Sequence, residues 1–175
     1  MSSNLKILLT GLPGCGKTTA VRQIVDRLKI NAIAGFYTQE IRENDERKGF
    51  RWATFDGAAG ILAHVNIKTP FSVGRYRVDV AAFEKEVVPV LDPSREGTSL
   101  FIIDEIGKME CMSGKFVNAM RLLFASEKSV LATVALKGTG LISDVKTYPG
   151  IRIFELTHRN RDRIIAEISQ ILSSS

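Results

Sequence analysis

The residues with the clearest chemical signal form a glycine-rich segment near the start of the chain. This segment fits the spacing G-x-x-x-x-G-K-[ST], and it consists of Gly11, Leu12, Pro13, Gly14, Cys15, Gly16, Lys17 and Thr18. Glycines at these positions let backbone N–H groups turn inward around phosphate oxygens. Lys17 then supplies positive charge to the β- and γ-phosphates, Thr18 supplies a hydroxyl to Mg²⁺, and Thr19 lies within reach of an α-phosphate. The pattern predicts a site for a nucleoside triphosphate with Mg²⁺ as cofactor.

Two adjacent carboxylates form the second candidate group. Asp104 and Glu105 follow the apolar run 100–103, which is typical of a buried strand. Such a strand brings its terminal carboxylate beside the glycine-rich loop, where Asp104 is predicted to hold Mg²⁺ through water. Glu105 is predicted to orient or deprotonate an attacking water. Because adjacent strand residues point to opposite faces, we expect the strand to be ending at Glu105.

The segments around these residues predict a single α/β domain over residues 1–175. The predicted strands, from apolar runs, are 5–10, 32–41, 50–55, 61–65, 99–105, 130–134 and 151–156. The predicted helices, from apolar residues at a 3.6-residue period, are 17–28, 80–91, 115–124 and 159–172. Strands that alternate with helices indicate a mainly parallel sheet. Residues 35–65 break this alternation and predict an antiparallel strand insert, and residues 68–78 are predicted to be a loop.

Beyond the glycine-rich segment, three stretches of the chain are distinctive. They read GFYTQEIR at 35–42, IIDEIGKME at 102–110 and LTHRNRD at 156–162. Together with TGLPGCGKTT at 10–19, and in this order, they resemble the small P-loop nucleoside-triphosphatases. This is the family that includes the cancer-related nucleoside triphosphatase and its archaeal and bacterial relatives. Gln39 departs from the family pattern, in which an acid is expected.

The resemblance carries implications for both fold and activity. It implies a three-layer P-loop NTPase fold with a RecA-like sheet. It also implies Mg²⁺-dependent hydrolysis of ATP, GTP, CTP and UTP to the nucleoside diphosphate and phosphate, with broad base tolerance.

Hydrolysis spreads negative charge over the γ-phosphoryl oxygens, so a cation besides Lys17 is expected near them. Lys108 follows Asp104 by four residues, at the carboxyl end of the strand, where ligands bind in open α/β sheets. Arg42 ends the strand of the second stretch. Lys108 and Arg42 are therefore predicted to be catalytic together with Lys17, and the alternative for each of the two is an ordinary surface cation. Further candidates are Arg75, Arg77 and Arg161.

Asn160 and Arg161 stand near the start of the last predicted helix, and two interpretations of them stay open. They either contact the base or ribose of the nucleotide, or they cap the helix. Both are included among the candidate nucleotide-binding residues.

The composition is that of an ordinary folded protein. Of the 175 residues, 24 are Lys or Arg and 19 are Asp or Glu, which gives a net charge of +5, and 45% are hydrophobic. The basic residues are spread along the chain rather than forming a stripe with aromatics, so we expect no specific nucleic-acid partner. No apolar run approaches the roughly 20 residues that span a membrane.

The expected location is the cytoplasm. The first six residues lack the basic and apolar regions of a signal peptide. Cys15 and Cys111 are the two cysteines, and neither lies in a C-x-x-C pair, so we expect reduced thiols and no zinc site. Nothing in the sequence predicts a protein partner.

A small nucleotide or nucleoside kinase is the alternative interpretation, since its size and fold would be similar. A kinase needs an acceptor pocket and a lid that excludes water, and the segment with Arg75 and Arg77 is a candidate lid. A regulatory GTPase is disfavoured, because the [NT]-K-x-D motif that selects guanine is absent from the sequence.

Overall fold

The structure is a computed structural model that describes residues 4–174, and its backbone is organised around one nine-stranded sheet. The strands are β1 (Lys6–Thr10), β2 (Ile33–Glu43), β3 (Glu46–Thr54), β4 (Ala59–His64), β5 (Ser72–Val73), β6 (Tyr76–Val78), β7 (Leu100–Ile106), β8 (Ser129–Val134) and β9 (Arg152–Glu155). The helices are α1 (Lys17–Leu28), α2 (Val80–Glu86), α3 (Gly114–Ala125), α4 (Leu141–Asp144) and α5 (Arg161–Ser173). Short 3₁₀ turns occupy Val88–Leu91, Glu110–Met112 and Val145–Thr147. Residues 1–3, part of the segment examined for a signal peptide, and residue 175 lie outside the described residues.

The strand order is β5-β6-β4-β3-β2-β7-β8-β1-β9. Parallel pairing joins β2 to β7, β7 to β8, β8 to β1 and β1 to β9. The other pairs, from β2 outward to β5, are antiparallel. Because β8 lies between β1 and β7, the order of the parallel strands is the RecA-like one. The predicted fold class, a mainly parallel sheet with an antiparallel strand insert, is confirmed.

Helices cover both faces of the sheet, which gives three layers. On one face, Phe83 of α2 and Phe116 of α3 belong to one buried cluster. On the other face, Ile24 of α1 and Ile165 of α5 belong to a second cluster. All five residues of β1 are buried, as expected for a central strand that is covered on both sides. None of the helices in the described part of the chain combines the length and apolar character needed to cross a bilayer.

The antiparallel insert is longer than its predicted range of 35–65. Residues 68–78 are not wholly a loop, because they contain the hairpin of β5 and β6, which pairs with β4. The hairpin and its neighbouring strands β3 and β4 form one wall of the cavity described below.

Two helical segments also differ from the prediction. The predicted helix 80–91 divides into α2 and a 3₁₀ turn, where Pro89 supplies no backbone N–H for continued α-helical bonding. Helix α4 was not predicted, because four residues are too few to show a helical period.

Candidate active site

The glycine-rich loop spans residues 11–16 between β1 and α1. Gly16 immediately precedes α1 with φ 95°, a left-handed conformation that favours glycine. Gly11 lies so close to the neighbouring backbone that a Cβ atom there would come within 2.5 Å of the Leu156 carbonyl oxygen. No side chain caps the start of α1, so its first N–H groups remain available to an anion. The local backbone therefore fits a phosphate group.

Lys17 folds back over this loop. Its Nζ donates to the carbonyl oxygens of Gly11 at 3.2 Å and Leu12 at 3.3 Å. The residue is only 9% exposed, yet it lines the cavity. Its charge also lowers the pKa values of the neighbouring Asp104 and Glu105 carboxyls, against the larger effect of their burial. A cation is thus held at the point where the loop meets the carboxylates.

Asp104 is fully buried beside the loop. Its Oδ1 accepts a hydrogen bond from the Thr133 hydroxyl at 2.6 Å, whereas its Oδ2 has no hydrogen-bond partner among residues 4–174. Burial raises the pKa of Asp104, while Thr133, Thr18, the Thr38 N–H and Lys17 favour the charged form. An unpaired carboxylate oxygen near the Thr18 hydroxyl fits Mg²⁺, which takes oxygen ligands and shares them with substrate phosphates.

Glu105 lines the cavity, although the strand does not end where the sequence suggested. Strand β7 continues to Ile106, but its ladder with β8 is irregular between Ile103 and Ile106. This irregularity breaks the regular alternation of side chains, so the prediction of an ending strand is wrong while the placement of Glu105 at the cavity stands. Burial raises the pKa of Glu105, Lys17 opposes that rise, and the Asp104 charge adds to it.

Glu110 is a cavity residue that the sequence reasoning passed over. It begins the 3₁₀ turn after β7, is 5% exposed and lines the cavity with Glu105. A Cβ atom added to Gly107 would lie 2.9 Å from Oε2 of Glu110 and 3.1 Å from Oε1 of Glu105. Burial, with a further contribution from the Glu105 charge, raises the pKa of Glu110 to about 8. The only feature of the sequence that could have indicated a role for Glu110 is its position in the distinctive stretch 102–110.

The buried Glu110 carboxyl leads to a prediction about stability. In the folded chain its pKa is raised from 4.5 to about 8, so the native state holds a proton that the unfolded chain loses between these values. Stability should therefore fall as pH rises through this window. Replacing Glu110 with glutamine is expected to remove that loss and to stabilise the protein at pH 8 by on the order of 3 kcal/mol, with little gain near pH 5.

Urea unfolding of the nucleotide-free protein in EDTA at the two pH values measures this effect. Glu96→Gln, on an exposed loop residue, is the matched control and should change the free energy of unfolding little at either pH. A Glu110→Gln gain that is equal at both pH values, or a loss at pH 8, would contradict the assigned burial cost.

The predicted cations separate into two groups. Lys108 lines the cavity from its exposed position after β7. Arg42 does not line it: its Nε pairs with Oε2 of Glu40 at 2.8 Å and its Nη1 donates to the Asp45 carbonyl at 2.8 Å. Strand β2 runs on to Glu43, so Arg42 is carried out to the hairpin turn and away from the phosphate loop. The structure therefore does not bring Arg42 to the site.

Arg75 is also bound at the hairpin, where its Nη1 pairs with Oε1 of Glu46 at 2.8 Å. Neither Arg75 nor Arg77 lines the cavity. The predicted candidate lid, the segment with Arg75 and Arg77, instead belongs to the antiparallel part of the sheet.

Asn160 and Arg161 lie behind the loop rather than in the cavity. The Asn160 carboxamide accepts from the Thr157 N–H at 2.8 Å and donates to the Glu155 carbonyl at 3.0 Å. It thereby closes the turn between β9 and α5, and it makes no side-chain cap to α5. The Arg161 guanidinium packs against the loop, since a Cβ atom on Gly16 would lie 3.2 Å from its Nη1.

The remaining loop residues differ in accessibility. Pro13, Gly14, Thr18 and Thr19 line the cavity with Gly16 and Lys17. Leu12 is 66% exposed, and Cys15 is buried in the cluster beneath α1 and α5. Their contribution to phosphate binding would come from the backbone.

The cavity has a volume of about 630 Å³ and extends from the phosphate loop to the antiparallel insert. Besides the predicted residues, its wall includes several that the sequence reasoning did not select. These are Arg22, Thr38, Gln39, Glu40, Arg47, Phe50, Leu62, Val73, Gly107, Met109, Glu110 and Ala135. Arg22 could have been predicted as a cavity residue from the sequence, because it follows Thr18 by one helical turn and therefore lies on the same face of α1 as Thr18.

The chain is similar to named proteins and solved structures along nearly its whole length. The model of a family described as NTPase matches residues 6–169. Nucleoside-triphosphatase THEP1 of Thermotoga petrophila is 42% identical over 168 residues, which cover 96% of this chain and 93% of that protein. The crystal structure of THEP1 from Aquifex aeolicus has a TM-score of 0.87 at 36% identity, covering 96% of this chain and 99% of that one.

The solution structure of a human cancer-related nucleoside triphosphatase has a TM-score of 0.82 at 33% identity and covers 98% of each chain. The resemblance found in the sequence is confirmed by these matches, which support hydrolysis and give no support to a kinase. This chain belongs to the NTPase family and is a nucleoside-triphosphate hydrolase with a P-loop NTPase-like fold.

Proposed function

We propose that the protein, acting as one domain over residues 1–175, hydrolyses nucleoside 5′-triphosphates of all four bases in the presence of Mg²⁺. The products are the nucleoside diphosphate and phosphate. The observation that carries the proposal is the meeting of Lys17 with the buried Asp104 carboxylate and the half-buried Glu105 carboxylate at a phosphate-binding loop. This arrangement provides a cation for the phosphates, an oxygen ligand for a metal and a proton acceptor in one cavity.

The loop residues bind and orient the triphosphate. Backbone N–H groups of residues 11–16 and the start of α1 face the phosphates, with Lys17 at the β- and γ-phosphates and Thr19 near the α-phosphate. Thr18 and Asp104 would hold Mg²⁺, which when bound neutralises phosphate charge. Arg161 backs the loop at Gly16, and Asn160 fixes the turn in front of α5.

Glu105 positions the attacking water and accepts its proton. The water oxygen forms a bond to the γ-phosphorus as the bond from that phosphorus to the β,γ-bridging oxygen breaks. The proton passes to the Glu105 carboxylate, whose pKa is raised by burial, and general bases work best with a pKa near the operating pH. Lys108, which lines the same cavity, adds positive charge as the γ-phosphoryl group is transferred.

Broad base tolerance is supported by the contacts of Asn160. The Asn160 carboxamide, the predicted nucleotide contact, is already occupied by the Thr157 N–H and the Glu155 carbonyl. It would have to break these bonds to contact a base edge. A site that reads no base-specific hydrogen bond discriminates weakly between bases.

The test is to measure phosphate release from ATP, GTP, CTP and UTP with Mg²⁺, and again with excess EDTA. We expect kcat/KM values within about tenfold of one another, less than two ordinary hydrogen bonds would produce. We also expect loss of activity in EDTA and its return when Mg²⁺ is restored. A single base preferred by more than a hundredfold, or full activity in EDTA, would contradict the proposal.

A further inference from the structure

Arg22 is a cation of the cavity wall to which no role has been given. It lies on α1, one turn after Thr18, and lines the same cavity as Lys17 and Glu105. Long helical side chains lean toward the N-terminus of their helix. We therefore expect the Arg22 guanidinium to lean back toward the start of α1, where the phosphates are proposed to bind.

Two neighbours on β2 fix the Arg22 guanidinium in place. Its carbon lies 4.5 Å from the centre of the Tyr37 ring, a cation–π distance. With the Gln39 carboxamide oriented so that its oxygen faces Arg22, that oxygen accepts from Nη1 at 3.2 Å and from Nη2 at 2.6 Å. Both contacts orient the group without cancelling its charge. Gln39, where an acid was expected from the family pattern, is thus a neutral partner.

The charge of Arg22 is not balanced by a carboxylate. Within residues 4–174, no carboxylate oxygen lies within 4.0 Å of its nitrogens, whereas the other cavity arginine, Arg47, pairs with Oε1 of Glu40 at 2.9 Å. Arg22 is half-buried in the cavity and is oriented by an aromatic ring and an amide. Its charge is therefore available to bind an anion such as a phosphate group.

We propose that Arg22 binds the γ-phosphate of the nucleoside triphosphate and stabilises the charge that develops on it during hydrolysis. The inference rests on the proposed function, since it adds to the same site a cation that the loop motif does not include. Arg22 thus supplies the positive charge near the γ-phosphoryl oxygens that the sequence analysis predicted for Arg42. Its guanidinium offers several N–H donors in a planar fork, which suits phosphate oxygens better than a single ammonium group does.

If Arg22 contacts the γ-phosphate, its replacement should weaken the binding of a triphosphate but not that of a diphosphate. In an Arg22→Met variant the aliphatic stem remains against Tyr37 and the charge is lost. We expect a non-hydrolysable triphosphate analogue with Mg²⁺ to bind at least about tenfold more weakly, the loss of one charge-assisted contact. Diphosphate affinity should stay within about twofold, and kcat should fall by about 10²–10³, as when one transition-state donor is removed.

The matched control is Arg27→Met, which removes the same charge from the exposed last turn of α1 and should leave kcat and both affinities unchanged. Arg22→Lys should recover part of the kcat, since a cation returns without the planar fork. Calorimetric titration gives the affinities, and unchanged diphosphate binding shows in the same experiment that Arg22→Met is folded. If Arg22→Met does not fold, the same comparison is made on Arg22→Lys and Arg22→Gln.

Equal weakening of triphosphate and diphosphate binding would assign Arg22 a structural role and overturn the proposal. Unchanged kcat and unchanged triphosphate affinity would overturn it as well. These outcomes differ from a failure of the proposed function, in which the wild-type protein itself releases no phosphate. In that case the binding comparison between triphosphate analogue and diphosphate still decides whether Arg22 contacts the γ-phosphate.

Discussion

Replacing Lys17 with alanine is expected to abolish turnover and to weaken triphosphate binding. The reason is that Lys17 is the buried cation between the phosphate loop and the carboxylates Asp104 and Glu105. Without it, the two carboxylates repel the incoming phosphates more strongly, and the cation that lies between them and the loop is lost. Removing a transition-state donor costs about 10²–10³ in kcat, and loss of the accompanying charge adds to this.

Phosphate release and calorimetric titration with a triphosphate analogue measure the two effects of Lys17→Ala. Lys85→Ala is the matched control, because the Lys85 side chain is 81% exposed on α2, away from the cavity. Activity of Lys17→Ala within twofold of wild type would remove the phosphate-site assignment.

Replacing Glu105 with glutamine is expected to slow hydrolysis by about 10²–10⁴ while nucleotide binding is retained. The carboxamide keeps the shape of the side chain but cannot accept the proton of the attacking water. Because Glu105 is half-buried and close enough to Asp104 for the two charges to repel, the neutral side chain also removes a repulsion and should not destabilise the fold. The split between kcat and affinity is therefore the signature of this residue.

Single-turnover hydrolysis and titration with a triphosphate analogue separate these two properties. Glu96→Gln, on the exposed loop before β7, provides the same chemical change outside the cavity and should leave both unaltered. If Glu105→Gln lost nucleotide affinity while its turnover stayed unchanged, the water-positioning role would be wrong.

The part of the fold that the sequence predicted most closely is the part with local signals. Helix α1 occupies the predicted range because a glycine-rich turn precedes it and a clear 3.6-residue period marks its buried face. The hairpin of β2 and β3 was predicted with strands that are too short. Its turn residues Asn44 and Asp45 both have positive φ, which permits a two-residue turn with strands on both sides. The charged residues around that turn hid the strand pattern.

The pairing of strands that are distant in the sequence could not be predicted from any local sequence pattern. That β8 inserts between β1 and β7, and that β5 and β6 extend the insert, depends on which strands meet in space. The first arrangement is predictable only from the family resemblance. The second is not predictable from the sequence, because β5 and β6 each have no more than three residues, too few to show an alternation.

In the candidate site, too, the placement of residues within sequence motifs was predictable, whereas that of residues placed by the tertiary fold was not. Lys17, Thr18 and Glu105 are marked by motifs, and the structure brings them together at the cavity. Arg42 was placed by its position at a strand end, and the longer β2 carries it away. Glu110 lines the cavity because the chain turns back after β7. Such a turn produces no periodic pattern of apolar residues, so it cannot be predicted from the sequence.

In the proposed reaction, a water molecule positioned by Glu105 receives the γ-phosphoryl group. The most direct test is hydrolysis of ATP with Mg²⁺ in water enriched in ¹⁸O, with parallel reactions that contain a mixture of nucleosides and nucleoside monophosphates. We expect the released phosphate to carry the ¹⁸O label, the diphosphate to carry none, and the rate to be unchanged by the acceptors. Little free phosphate without an acceptor, together with a newly phosphorylated acceptor, would contradict the proposed reaction and would make Glu105 the activator of that acceptor instead.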